Sequence, residues 1–255
     1  MSQSAEARVA LVTGGSRGLG AAIARRLAKA GARVAVLGRD KHALASVARE
    51  MGALALEADV TDAGATERAL ARVREELGPI AVLVQNAGVA ASAPYAATDD
   101  ALWERTMAVN VTAPFRIARA VLPDMLERKW GRVVHVASNA GLTGYAYTAA
   151  YCASKHALVG LTRALAVEVA RAGVTVNAVC PGFLDTEMTA RTVANIADKT
   201  GRSTDQARRA LEELSPQGRI FAVEEVAHVV AMLVSDEARG INGQAIAIDG
   251  AQTMR

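Results

Sequence analysis

The sequence predicts an α/β fold in which one parallel sheet of seven strands is wound by helices on both faces. Two observations predict it. Short apolar runs alternate with helix-period segments along nearly the whole chain, and each strand is a continuous apolar run with no in-out alternation. A strand buried on both faces reads that way, and parallel sheets are buried on both faces. The length agrees: 255 residues, 51% hydrophobic and 22% charged, suffice for one large domain with a sizeable core. No repeat and no linker-like change of composition divides the chain, so residues 1–255 are expected to form one domain.

The elements follow in order. Arg8 to Val12 is the first strand, and glycines between Gly14 and Gly20 separate it from a helix over Ala21 to Ala30 that Gly31 closes. Arg33 to Leu37 is the second strand, Lys41 to Met51 a helix ended by Gly52, and Ala53 to Leu56 the third strand. A helix over Asp62 to Leu77 stops at Gly78-Pro79, ahead of a strand at Ala81 to Val84. A long helical region covers Asp99 to Lys129, where Pro114 and Pro123 are expected to mark bends or breaks. Then come a strand at Arg132 to Ala137, a helix over Ala150 to Ala172, a strand at Val174 to Val179, a helix over Glu224 to Val234 and a last strand at Gln244 to Ile248. Residues 183–218 have no place in the alternation. An insertion of that length at the carboxyl end of a strand reads as a lid over a ligand site.

Composition excludes several classes of function. Lys and Arg exceed Asp and Glu by only three, 29 against 26, and no polybasic run or basic arm appears, so no nucleic-acid partner is expected. No apolar run approaches the length of a membrane helix, the polar start Met1 to Arg8 does not resemble a signal segment, and no membrane association is expected. Cys152 and Cys180 form no CxxC pair and read as free thiols, both buried, of a reducing cytoplasm. His42, His135, His156 and His228 lack metal-ligand spacing, so no metal is expected.

Thr13 to Gly20, TGGSRGLG, lies between the first strand and the first helix. Glycines there let a backbone approach a phosphate, and a helix N-terminus offers unpaired N–H groups to it. The spacing GxxxGxG departs from the usual dinucleotide fingerprint, and Gly14 to Gly18 also spells G-x-S-x-G, the nucleophile elbow of a hydrolase with Ser16 as nucleophile. That second meaning needs a late histidine. The natural candidate, His228, lies inside a helical pattern, and no earlier strand loop exists to form an oxyanion hole. The cofactor meaning can be tested at the end of the second strand, where an acid would bind the 2′-hydroxyl of NAD. Gly38-Arg39 stands there, and with Arg17 it puts two guanidiniums where a 2′-phosphate would lie, so NADP(H) is favoured over NAD(H). Asp40 could reach a ribose, but it also reads as the N-cap of the next helix.

Tyr151 and Lys155, one helical turn apart in YCASK, share a helix face. A tyrosine is a poor base near neutral pH unless a neighbouring ammonium lowers its pKa. Thirteen residues upstream, Ser138 follows the strand ending at Ala137, on the edge where ligands bind in such sheets.

At these residues the sequence resembles the short-chain dehydrogenase/reductase family. The resemblance runs from Thr13 to Gly250 and rests on TGGSRGLG, Asp59-Val60, Asn86-Ala87-Gly88, Asn110, Ser138, YCASK, Pro181-Gly182 and Asn242-Gly243-Gln244. It implies a Rossmann fold and an NAD(P)-dependent oxidoreductase acting on C=O or CH–OH. By the same resemblance Tyr151 is the general acid in reduction and Ser138 orients the substrate oxygen. Lys155 lowers the Tyr151 pKa and binds the nicotinamide ribose, and Asn110 holds a water of a proton relay. Gly14, Ser16, Arg17, Gly18, Leu19 and Gly20 form the phosphate loop, with Arg39 at the 2′-phosphate. Asp59 and Val60 contact adenine, Asn86, Ala87 and Gly88 line the adenosine side, and Pro181, Gly182 and Thr186 flank the nicotinamide. Gly144 to Phe183 looks especially like the 3-oxoacyl reductases, implying NADPH-dependent reduction of a 3-oxoacyl thioester or similar ketone. Val89-Ala90-Ala91 stands where polyketide members carry Pro-Gly-Gly, which points away from a cyclic polyketide. The alternatives are oxidation of a secondary alcohol, hydroxyacyl-CoA or sugar, and a non-catalytic dinucleotide-binding scaffold. The family also implies a homotetramer built through Asp99 to Lys129, Ala150 to Ala172 and the last strand.

Overall fold

The structure, a computed structural model, describes residues 7–254. Seven strands form one sheet in the order β3-β2-β1-β4-β5-β6-β7, every neighbouring pair parallel. They are β1 (Val9–Thr13), β2 (Arg33–Gly38), β3 (Leu54–Glu57), β4 (Ile80–Gln85), β5 (Gly131–Val136), β6 (Val174–Pro181) and β7 (Ala245–Ile248). The helices are α1 (Gly18–Lys29), α2 (Lys41–Met51), α3 (Ala63–Glu76), α4 (Asp100–Met107), α5 (Ala113–Arg128), α6 (Ala149–Val169), α7 (Glu187–Thr200), α8 (Thr204–Glu212) and α9 (Val223–Leu233). Winding proceeds outward in both directions from β1, so the crevice at the carboxyl ends of β1 and β4 is the switch point where such sheets bind ligands.

Both faces of the sheet are buried, which is why the strands read as unbroken apolar runs. Ala10, Val12, Val34, Val36, Val82 and Val84 pack on one face against Ile23 and Leu27 of α1 and Val226, Val230 and Leu233 of α9. Their neighbours Val9, Leu11, Ala35, Leu37 and Leu83 pack on the other against α3, α5 and α6 through Leu70, Val73, Ile117, Val121 and Val169. The helix ends follow the sequence signals. Asp40, Asp62 and Asp99 accept the N–H of Ala43, Ala65 and Leu102 as N-caps, and Gly52 closes α2 in the left-handed region at φ 63°.

Three elements depart from the expectation. Helix α1 starts at Gly18, three residues before Ala21, so its first turn is made of the glycine loop itself. The region from Asp99 to Lys129 does break, but not at its prolines: Pro114 lies in the first turn of α5 and Pro123 is carried inside it. The interruption is a π-helical turn over Ala108–Thr112, and its buried residue is Asn110. Such turns insert an extra residue into a helix and are frequent at functional sites. Residues 183–218 contain two helices, α7 and α8, that pack on each other through Val193, Ala207 and Leu211, apart from the main core. Thr186 caps α7, and Ser203 with Gln206 forms a capping box on α8. Among the described residues no helix is long and apolar enough to cross a membrane, and no three potential metal ligands gather.

Candidate active site

Ser138, Tyr151 and Lys155 meet at the carboxyl end of β5. Ser138 caps a short 3-10 turn, Asn139–Gly141, by accepting the Ala140 N–H at 3.1 Å, its hydroxyl donates to Asn139 Oδ1 at 3.3 Å, and it lies near enough to the Tyr151 phenol to lower its pKa. The turn packs directly on α6. A Cβ added to Gly141 would stand 2.7 Å from the Lys155 carbonyl oxygen, so only glycine lets Ser138 come this close to Tyr151. Lys155 is buried, donates to the Val136 carbonyl at 2.9 Å and stands 5.6 Å from the centre of the Tyr151 ring.

The electrostatics correct one expectation. Tyr151 is not brought below its ordinary pKa: burial of the phenol raises it, and the Ser138 hydroxyl opposes that only in part. Burial also brings Lys155 down to about 8. The phenol is therefore held protonated, as a proton donor requires, with a cation behind it that near neutral pH remains mostly charged.

Asn110 acts through other groups. Its amide donates to the Val89 carbonyl at 2.9 Å and to Ser154 Oγ at 3.0 Å, and its Oδ1 accepts the Val89 N–H at 2.9 Å. Both amide hydrogens are committed, leaving one Oδ1 lone pair and the main chain for the water that the resemblance implies. The side chain clamps the loop after β4 to α6. Gly88 lies in that clamp, where a Cβ would be 3.3 Å from Asn110 Oδ1 and 3.6 Å from Lys155 Nζ.

The same loop reaches the glycine turn. Asn86 Nδ2 donates to the carbonyls of Thr13 and Gly14, both at 3.1 Å, and Thr13 Oγ1 accepts the N–H groups of Asn86 and Ala87. Asn86, Ala87 and Gly88 thus join the glycine loop to Lys155. The glycines have different jobs. A Cβ on Gly14 or Gly20 would strike Asn86, and one on Gly15 would strike Val36, so these three serve close packing. Gly18, at φ 52°, has only the Thr186 methyl in front of it, 3.5 Å from where a Cβ would be. Helix α1 begins there with no side-chain cap and no acid in its first turn. That open, uncapped N-terminus fits a phosphate, with Leu19 behind it in the core.

Ser16 Oγ faces Gly38 at the end of β2. His228 lies on α9, where its Nδ1 meets Arg26 at 3.1 Å, two turns along α1 from the glycine loop, and Ser16 gains no histidine base from it. At the β2 end Asp40 caps α2 with one oxygen and ion-pairs with Arg17 through the other. Arg39 is exposed, 3.7 Å from Asp59, whose carboxylate accepts the N–H and hydroxyl of Thr61. Val60 packs against the core beside it. On the opposite wall Pro181 ends β6, Gly182 is pressed against Asp249 and Phe221, and the Thr186 hydroxyl caps α7.

Residues 8–197 match the family described as short chain dehydrogenase. The chain belongs to the short-chain dehydrogenase family. This family member is 40% identical over 252 residues to a protein of Streptomyces coelicolor provisionally named a ketoacyl reductase, covering 96% of this chain and 97% of the relative. It is 36% identical over 251 residues to the Escherichia coli 3-oxoacyl-acyl-carrier-protein reductase FabG, covering 98% of each chain. Among solved structures it is similar to a single-substitution variant of actinorhodin polyketide ketoreductase with NADPH, at 39% identity and TM-score 0.94, over 98% of each chain. The protein is accordingly an oxidoreductase of the C=O/CH–OH couple.

Several site residues of this dehydrogenase were not legible as such. Gly141 carries no motif, and Ser154, which links Asn110 to the Tyr151 carbonyl at 2.7 Å, is hidden inside YCASK. Gln252 reaches back to Asn139 at 3.0 Å, bringing the C-terminal residues over the Ser138 turn. Cys180 is buried as expected, but Cys152, in the first turn of α6 beside Thr148 Oγ1 at 3.2 Å, is partly exposed.

His135 is fully buried on β5. Its Nδ1 donates to Thr162 Oγ1 at 2.8 Å, since the Thr162 hydrogen goes to the Leu158 carbonyl, and its Nε2 has no partner among the described residues. Burial, and then the Lys155 charge, push its pKa from 6.5 to about 4. The unfolded chain therefore takes up a proton between those values that the folded chain refuses. Its contribution is full above pH 6.5 and is lost as pH falls toward 4, on the order of 3 kcal/mol. Urea unfolding at pH 7 and pH 5 is expected to show a loss that His135→Gln flattens; an equal loss in the variant would refute this.

Proposed function

We propose that this short-chain dehydrogenase is an NADPH-dependent carbonyl reductase acting on a 3-oxoacyl thioester or a similar ketone. The observation that carries the reading is the adjacent pair of hydroxyls, Ser138 and protonated Tyr151, at the carboxyl edge of the sheet with the Lys155 ammonium behind them. Bound NADPH supplies the hydride that reduces the carbonyl carbon. Ser138 and Tyr151 both donate to the ketone oxygen, and as negative charge develops there Tyr151 gives up its proton, leaving an alcohol and a phenolate. Lys155 stabilises that phenolate until solvent returns the proton. Gly18 and the α1 N-terminus receive the pyrophosphate, Arg17 and Arg39 read the 2′-phosphate, and Pro181, Gly182 and Thr186 bound the nicotinamide side. Ser16, Asp59, Val60 and Asn86 to Gly88 shape the adenosine side, and Asn110 positions Gly88 and Lys155. Residues 183–218 act as the lid of a single 1–255 domain, in a cytoplasmic homotetramer. The names of the relatives support an acyl thioester, and they include a polyketide enzyme despite Val89-Ala90-Ala91, so ring-forming acyl chains stay within the substrate class.

Titration with NADPH and NADH, followed by turnover of a panel of 3-oxoacyl thioesters and simple ketones, tests the reading. NADPH is expected to bind more tightly, and Arg17→Ala to weaken it about tenfold, the scale of a charge-assisted phosphate contact at a half-exposed site. Tighter NADH, with oxidation of secondary alcohols and no thioester turnover, would overturn it in favour of the oxidative dehydrogenase.

A further inference from the structure

Arg17 is not free to meet a phosphate. One side of its guanidinium is ion-paired with Asp40 and the other with Glu187 Oε2 at 3.1 Å. The two carboxylates are held differently. Asp40 is pinned by its second oxygen, which caps α2 through the Ala43 N–H at 3.0 Å, so it stays in place and orients Arg17. Glu187 is the first residue of α7, on the far wall of the crevice, and among the described residues its other side-chain ion pair is with Arg191, exposed one turn further on, at 3.2 Å. Immediately before it, Thr186 stands over Gly18, the glycine that opens the α1 N-terminus. The Glu187 carboxylate is thus an anion of the chain itself, reaching across the crevice onto the cation that borders the phosphate site.

We propose that Glu187 sets the cofactor preference of this enzyme by competing with the 2′-phosphate of NADP(H) for Arg17. The proposal rests on the assignment of Arg17 as reader of that phosphate. NADPH displaces Glu187 from Arg17 in order to bind, while NADH, which lacks the 2′-phosphate, leaves the Arg17–Glu187 pair intact. The competition therefore narrows the preference for NADPH, and releases the first turn of α7 when NADPH is the cofactor that arrives. Glu187 is exposed at the start of α7, so removing its charge alters this contest without opening the core.

The test is to measure Kd for NADPH and for NADH with wild type, Glu187→Gln, Arg17→Ala and the double variant, with thermal melting to verify that each is folded. Glu187→Gln is expected to tighten NADPH about two- to fivefold, the range covered by an exposed ion pair, with NADH unchanged. In the Arg17→Ala background the same substitution is expected to do nothing for either cofactor. If Glu187→Gln leaves NADPH unchanged or weakens it, or tightens both cofactors equally, while Arg17→Ala still weakens NADPH, the competition is refuted and the reading of Arg17 stands. If Arg17→Ala binds NADPH as wild type does, the assignment of Arg17 fails and this proposal fails with it.

Discussion

Tyr151→Phe is expected to remove ketone reduction while NADPH still binds with its wild-type affinity. The substitution deletes one oxygen from a ring that otherwise keeps its place on α6. The Ser138 turn is still held by the Ala140 N–H at 3.1 Å, by the Ser138 hydroxyl on Asn139 Oδ1 at 3.3 Å and by the packing of Gly141 on Lys155. Among the described residues no other group is placed to give up the proton. Ser138 would become an alkoxide, and Lys155 Nζ is directed to the Val136 carbonyl at 2.9 Å. A positioned acid contributes roughly 10²- to 10⁴-fold, and here the oxygen also loses one of its two donors, so turnover is expected to fall by about 10³-fold or more. Steady-state kinetics with a 3-oxoacyl thioester, beside a fluorescence titration of NADPH, would show it. Turnover within tenfold of wild type would mean that the proton comes from elsewhere and that Tyr151 is not the general acid.

What the sequence revealed, and what it hid, divides by range. The strands were legible because burial on both faces makes each one a local run, as in Val82 to Val84, where successive residues serve opposite cores. Ser138, Tyr151 and Lys155 were legible because fixed offsets along β5 and α6 bring them together. Interactions between distant segments left little local trace. The π turn at Ala108–Thr112 depends on Asn110 reaching Val89, 21 positions away, and the prolines nearby were the louder but wrong signal. The spacing of Gly14 and Gly20 gave no sign that Asn86, arriving after β4, leaves no room for a Cβ at either position. The direction of the Tyr151 pKa could not be read from the YxxxK spacing either, because the burial that raises it is a property of the assembled site. Helices α7 and α8 were missed because they are polar overall and bury only a small shared core of Val193, Ala207 and Leu211, although Thr186 and the Ser203–Gln206 box were local signals that marked their starts.

Gly141→Ala is expected to disable the site without touching any group that reacts. The added methyl carbon would meet the Lys155 carbonyl oxygen at 2.7 Å, its carbon at 2.9 Å and the Lys155 Cβ at 3.3 Å. All three belong to the middle of α6 or its branch point, where no flexible side-chain end can move aside. The relief has to come from the 139–141 turn, which is anchored to α6 by packing and to the C-terminal residues by a single bond from Asn139 to Gln252. The turn would retreat from α6 and carry Ser138 with it, away from the Tyr151 phenol whose pKa Ser138 lowers. A displacement near 1 Å at reacting groups costs about 10²-fold in rate, and overpacking a buried contact costs about 1–3 kcal/mol of stability. The glycine loop lies at the other end of the crevice, so NADPH affinity is expected to fall far less than kcat. The Tyr151 pH dependence gives a sharper reading. With the Ser138 contact weakened, the phenol should titrate higher still, and the part of the alkaline limb beyond the Lys155 step near pH 8 should move to higher pH. A variant with wild-type kcat and an unmoved profile would show that the Ser138 turn can yield without leaving Tyr151, and that the close approach of Gly141 is not what sets their spacing.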